Sequence, residues 1–351
     1  MNNNDFSNYL MDIINKGSLS IMLSIGHRTK LFDILSILPP STVEEIASKS
    51  KLNERYIREW LGAMVTGKII EYDSINNKFW LSKEKAQYLT RENNIYNFAA
   101  SMQWIPILSQ VEDEIVECFV KGGGVPYSSY SRFHEVMAEE SYQTVVIGLI
   151  NNILPLVPNL IADLRNGIRV LDIGCGKGKA VNLMGKHFPK SVFYGYDLSN
   201  EAIDDATIEA KDMNNSNVFF KIQDILNLTF NDKFDLITAF DAIHDQPKPD
   251  LVLKNIYNSL SAKGGVFLMQ DILASTPLKD NISHPLGTFL YTISCLHCMS
   301  VSLSQNGAGL GAMWGKEKAV FMLKEAGFAN VEVKTLPHDF QNYYYICQRN
   351  K

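Results

Sequence analysis

One short stretch, VLDIGCGKGKA at 170–180, crowds an acid and three glycines together. Glycine costs backbone entropy and is useful where a chain must bend sharply or approach something closely. Asp172, Gly174, Gly176 and Gly178 stand where an apolar strand should turn into a helix, so they read as a cradle for a ligand. An acid two residues ahead of the first glycine suits a ligand with a positive end. A pyrophosphate instead wants helix amides free of negative charge. The dinucleotide fingerprint G-x-G-x-x-G would need glycine at 179, where Lys179 stands. Two more acids close the next two strand-like runs, Asp197 in YGYDLS and Asp224 in KIQDIL.

The elements that must position these residues alternate from about residue 165 onward. RVLDIG, SVFYGYDLS, NVFFKIQD, FDLITAFDAI and GGVFLMQDI are short β-rich runs, separated by helical stretches such as 178–187, 200–213 and 248–262. Short buried strands between helices predict a parallel, doubly wound sheet, whose ligands sit beyond the strand ends near the order switch. The last two runs, VEVKTLP and NYYYICQR, are joined by PHDFQ alone and should pair antiparallel.

The first 90 residues have a different grammar. Ser41-x-x-Glu44 and Thr42-x-x-Glu45 are alternative capping boxes after Pro39–Pro40. Leu52, Tyr56, Ile57, Trp60, Leu61 and Met64 should share one helical face. Asn76–Asn77 joins two β-rich runs as a hairpin. Helix, turn, helix, hairpin is the order of a winged helix. This segment holds 11 basic and 10 acidic residues, and its second helix balances Arg55 and Arg58 with Glu54 and Glu59. Phosphate contacts need a positive excess, so a folding or dimerisation unit is expected and nucleic acid is not. Residues 91–160 read as a helical connector, interrupted by GGGVPYSSY, that is placed to roof a pocket.

The bulk numbers fit this layout. The chain has 351 residues, 46% apolar and 20% charged, with net charge −5. Five scattered cysteines predict a reducing compartment. The amino terminus lacks the basic and apolar regions of a secretory signal, and no apolar run is long enough to span a membrane. A cytoplasmic protein is expected.

DIGCGKG, YGYDLS and the paired terminal strands resemble the class I S-adenosylmethionine-dependent methyltransferases over roughly residues 161–351. That resemblance implies a Rossmann-like α/β fold with a seven-stranded sheet whose last strand is antiparallel, behind a mostly helical winged-helix domain. It implies that Asp172, Gly174 and Gly176 lie at the cofactor's aminoacyl end, Asp197 at the ribose and Asp224 at the adenine. Cys175, Leu198, Ile225 and Phe240 flank these positions. FDAIHD is similar to the stretch of small-molecule O-methyltransferases in which a histidine acts as general base. This implies a catalytic His244 with Asp245 beside it, although Gln246 stands where that pattern usually has tryptophan. S-adenosylhomocysteine would be the product. Plant-type and polyketide O-methyltransferases use such an amino-terminal module to form homodimers. The insertion at 284–315 falls where the family places substrate-contacting structure. Trp104, His134, His284, His297 and Trp314 are therefore expected around a small-molecule acceptor. Cys295-x-x-Cys298 has no second pair at metal-ligand spacing, so no metal is expected. Two other readings stay open: N- or C-methylation, and a regulator that keeps the methyltransferase fold as a ligand sensor.

Overall fold

The computed structural model describes residues 3–92, 96–227 and 233–349, in two compact units, Met1–Ser109 and Gln110–Lys351. Residues 91–160 are thus shared between the units.

In the first unit, α1 (Asn3–Arg28), α2 (Leu31–Ile37), α3 (Val43–Ser50) and α4 (Glu54–Thr66) lead into a hairpin of β1 (Glu71–Asp73) and β2 (Lys78–Trp80). The capping box forms on Thr42 and Glu45, whose side chains bond each other's backbone N–H groups. Ser41 exchanges backbone hydrogen bonds with Phe79 instead. Asn53 caps α4 through Oδ1. Ile57, Trp60, Leu61 and Met64 are buried, but Tyr56 is 80% exposed. This corrects the expected face: Tyr56 lies in the first turn, one position before the buried stripe begins. Trp60 meets Phe32 edge-on at 5.3 Å and donates Nε1–H to the Met22 carbonyl. Three short helices, α5 (Lys83–Ala86), α6 (Phe98–Ser101) and α7 (Trp104–Ser109), complete the unit.

The second unit opens with α8 (Glu112–Lys121), α9 (Phe133–Ser141) and α10 (Leu160–Asn166). The helical connector does not continue as one α-helix after GGGVPYSSY, because wide π-type turns at Tyr142–Val146 and Leu149–Ile153 interrupt it. Gly148 sits between them with the His338 ring so close that a Cβ would lie 2.1 Å from its Nε2. Among the described residues, no single helix is long and apolar enough to cross a membrane.

Seven strands then form one sheet: β3 (Arg169–Ile173), β4 (Val192–Asp197), β5 (Val218–Ile222), β6 (Leu236–Phe240), β7 (Val266–Ile272), β8 (Val331–Leu336) and β9 (Asp339–Gln348). Their spatial order is β5-β4-β3-β6-β7-β9-β8. The first five run parallel, while β9 inserts antiparallel between β7 and β8. The terminal hairpin turns on Pro337–His338 alone, because pairing of Asp339 with Leu336 of β8 extends β9 back past its last partner on β7, Asn342.

Helices α11 (Lys179–His187), α12 (Asn200–Asp212), α13 (Pro249–Ser259) and α16 (Gly315–Ala326) connect the strands. Before α16 the insertion carries α14 (Gly287–Ile293), a π turn (Ser294–Cys298) and α15 (Met299–Ser304). The central strands are buried along most of their length, as parallel strands covered on both faces must be. One face packs Phe267, Met269, Phe328 and Leu323 against α13 and α16. The other packs Val170, Leu268 and Tyr344 under α11 and the residues around Leu149–Leu164. The chain path reverses at β3, with β4 and β5 on one side and β6 and β7 on the other, and the acids lie at the strand ends flanking that point.

Candidate active site

The loop after β3 is held open by backbone conformations that favour glycine. Gly174, Gly176 and Gly178 all have positive φ, at 66°, 50° and 67°. Their surroundings differ. A Cβ on Gly174 would lie 2.6 Å from the Ala242 methyl, and one on Gly178 2.6 Å from the Phe220 ring. A Cβ on Gly176 would meet nothing within 4 Å. Two of the glycines therefore let elements pack closely, and Gly176 alone faces open space.

Asp172 and Asp197 meet at this loop, and Asp224 lies beyond the end of β5. Asp172 is buried, and one of its oxygens accepts the Thr238 hydroxyl at 2.6 Å. Burial pushes its carboxyl up to about 7, although the Thr238 bond opposes the shift and Asp197 adds to it. Asp197 accepts the N–H of Gly176 on one oxygen and that of Ser199 on the other, both at 2.9 Å. Asp224 accepts from Leu226 N–H and Asn227 Nδ2 and so caps the short turn Ile225–Asn227. Each carboxylate still has acceptor capacity for a ligand's donors. Cys175 and Phe240 are half-buried beside the loop, Ile225 is buried, and Leu198 is exposed. Acceptor-only acids around an open glycine suit a ligand bearing an ammonium and vicinal hydroxyls, the donors of S-adenosylmethionine.

A second group lies beyond β6 and β7. His244 is buried and donates Nδ1–H to Asp271 Oδ1 at 2.8 Å. The same oxygen accepts Trp314 Nε1–H at 2.8 Å and the backbone N–H of Ile272. On the other edge of the ring, His244 Nε2 lies 3.3 Å from Asp245 Oδ1. Asp245 Oδ2 in turn accepts the Tyr127 hydroxyl at 2.9 Å. Burial alone would lower the His244 pKa, but Asp271 and Asp245 outweigh it and hold the ring well above its usual range. The ring is thereby made a stronger base.

The substrate-side residues separate into three groups. His297 stacks on Phe133 at 4.3 Å, with Tyr127 and Tyr130 edge-on, and burial pushes its ring down to about 4. His134 belongs to the same aromatic cluster. His284 spends both ring nitrogens on backbone, Nε2 on Leu273 O and Nδ1 on Leu286 N–H, and Trp314 is committed to Asp271. Trp104 is buried within the first unit. Asp271 and Tyr127 escaped sequence reasoning. Asp271 lies 27 residues from His244, and the sole local hint was an acid at the end of an apolar run.

Residues 17–91 match the Rv2258c-like winged HTH domain, and residues 164–334 match a methyltransferase domain. The ubiquinone biosynthesis O-methyltransferase of Coxiella burnetii is 30% identical over 128 residues, which cover 36% of this chain and 49% of that protein. The chain therefore spans about half the length of that relative. The (S)-coclaurine N-methyltransferase of Papaver somniferum is 33% identical over 108 residues, 30% of each chain. Human N-acetylserotonin methyltransferase in complex with S-adenosylmethionine superposes with a TM-score of 0.70 over 98% of both chains at 17% identity, a likeness of fold. Fold, glycine loop and domain matches together define a class I S-adenosylmethionine-dependent methyltransferase domain. In this chain it follows a winged helix-turn-helix domain.

Two outcomes follow for the cradle. Gly176→Ala should weaken S-adenosylmethionine binding about tenfold or more in calorimetry and lower the thermal midpoint only by the backbone strain of alanine at φ 50°, since its methyl enters open space. Gly178→Ala should instead lower the thermal midpoint by several degrees, roughly the effect of one unfavourable core contact. The reverse pattern would reassign the two glycines. Asp172 must be ionised to accept from a cationic ligand. Affinity should therefore fall as pH drops below about 7, and Asp172→Asn should remove that dependence. A flat wild-type profile between pH 6 and 8 would exclude Asp172 from cofactor binding.

Proposed function

We propose that this protein moves the methyl group of S-adenosylmethionine to a hydroxyl of a small, largely apolar molecule, with His244 as general base. The observation that carries the reading is the orientation of the His244 ring. Asp271 takes the Nδ1 hydrogen, which places the free lone pair of the neutral ring on Nε2.

Asp172, Gly174, Gly176 and Asp197 would hold the cofactor, with Asp224 at its far end and Cys175, Leu198, Ile225 and Phe240 around it. When bound, S-adenosylmethionine supplies an electrophilic methyl on a positively charged sulfur. As the acceptor oxygen takes that methyl, its proton passes to His244 Nε2 and Asp271 balances the ring's new charge. Asp245, held by Tyr127, faces the same nitrogen. His134 and His297, set among Tyr127, Tyr130 and Phe133, would line an apolar pocket with few polar fixtures. Trp314 and His284 would support this wall from behind, and the segment around α9 would roof it. A held base favours a hydroxyl, whose proton must leave, over acceptors that react without one.

His244→Ala should lower methyl transfer to responsive phenolic acceptors by about 10²-fold, while calorimetric affinity for S-adenosylmethionine stays within about twofold. Asp271→Asn should lower kcat more than it raises KM, because it misplaces the ring without touching the acceptor. An unchanged rate in His244→Ala would remove the base from the mechanism.

The winged helix is read as a dimerisation module in a cytoplasmic homodimer. Both arginines of α4 are already paired, Arg55 with Glu59 and Arg58 with Glu54 and Glu44, which favours this reading over a regulator gripping DNA phosphates. Along α1, Phe6, Leu10, Ile14, Ile21 and Ile25 are 40–68% exposed and spaced as one helical stripe. Five free cysteines suit a reducing compartment. Sedimentation equilibrium should give a dimer that Ile14→Asp dissociates without changing the thermal midpoint. A monomeric wild-type chain would overturn the reading.

A further inference from the structure

We propose that His244 Nε2, Asp245 Oδ1 and Cys298 Sγ form a binding site for a thiophilic divalent cation of the zinc class, and that filling it takes His244 out of proton transfer. The three ligand atoms lie within 4.8 Å of one another, and all three residues are more than nine-tenths buried. They come from separate segments. The loop after β6 supplies His244 and Asp245, and the π turn before α15 supplies Cys298. Ligands of one zinc ion, at about 2.0–2.3 Å each, stand roughly 3–4 Å apart, so small side-chain rotations close the site.

A second observation points to a ligand here. Asp245 Oδ1 is buried without a hydrogen-bond partner among the described residues. It faces His244 Nε2 at 3.3 Å, a contact that is an ion pair only while the ring is protonated. The carboxylate is anchored by its other oxygen through Tyr127, and the imidazole by its other nitrogen through Asp271. Such outer partners fix ligating histidines and carboxylates in metal sites and set the tautomer that leaves Nε2 free. A mixed nitrogen, oxygen and sulfur set selects zinc-like ions over magnesium or calcium. On binding, the thiol proton of Cys298 and any proton on His244 Nε2 leave to solvent, since only the neutral imidazole and the thiolate can ligate. The thiolate and the Asp245 carboxylate then neutralise the ion's two charges, as a buried site requires. Three protein ligands leave a fourth position open.

The blocking effect follows from counting lone pairs. Nδ1 is committed to Asp271, so Nε2 cannot both ligate an ion and accept a proton. This half rests on His244 being the base; the ion binding does not.

The test uses the full chain, stripped with a chelator and dialysed against zinc chloride, with cobalt(II) as a spectroscopic probe. Wild type and Cys295→Ser should each retain a single zinc ion per chain and show thiolate-to-cobalt charge-transfer absorption. Cys298→Ser, nearly isosteric and checked for an unchanged thermal midpoint, should lose that band and bind zinc about a hundredfold more weakly, as for loss of one of three protein ligands. Wild type that retains no zinc, or Cys298→Ser that binds as tightly, would overturn the site. With an acceptor that is turned over, zinc should suppress methyl transfer in proportion to occupancy and a chelator should restore it. Full activity at full occupancy would overturn the blocking. If no acceptor is methylated at all, the proposed function fails while zinc stoichiometry still decides the site.

Discussion

A fully buried carboxylate, Asp271, is the constraint around which one end of the sheet is arranged. An isolated charge in such a place is costly, and the cost is met only by donors and an opposite charge. Asp271 Oδ1 collects three donors from three places: the His244 ring, the Trp314 indole and its own strand's Ile272 amide. His244 follows β6 and Trp314 opens α16. This one oxygen therefore ties the loop after β6 to β7 and to the end of the insertion.

Around that anchor the sheet acts as a ruler. Parallel pairing of β3, β6 and β7 in register brings their ends to one edge. Asp172, the loop bearing His244, and Asp271 therefore share that edge although they span 100 positions in the chain. Thr238 on β6 bonds Asp172 on β3, so the glycine loop and the segment bearing His244 are braced by the same strand. The antiparallel β9 pairs the outer edge of β7, while the His244 ring and the Trp314 indole pack on the Asp271 carboxylate.

The insertion supplies the apolar wall. His297 is held neutral by burial among Phe133, Tyr127 and Tyr130, which favours packing over proton transfer for this ring. His244 shares the neighbour Asp245 with it but sits between two carboxylates, and its basicity is pushed the other way. The contrast between the two histidines comes from their neighbours.

Much of this was legible in the sequence, and the legible part is local. The glycine loop, the order of strands and helices, the Thr42–Glu45 box and the hairpin at Asn76–Asn77 depend on backbone preferences of a few adjacent residues. Those preferences are carried by residue type and spacing. The misses all depend on what covers a surface. Tyr56 fits the apolar period of α4, but it stands on the exposed side of its turn while Ile57 beside it is buried. The helix after Phe133 widens where the His338 ring meets Gly148, a contact between residues 190 positions apart. The sequence by itself therefore determined the fold class, the cradle and the presence of a histidine beside the fourth strand of the main sheet. Only the tertiary structure decided that Asp271 orients this histidine, that Trp314 serves the carboxylate, and that Cys298 comes to lie by Nε2. Such pairings arise when distant strand ends are brought to one edge, and no local periodicity encodes them.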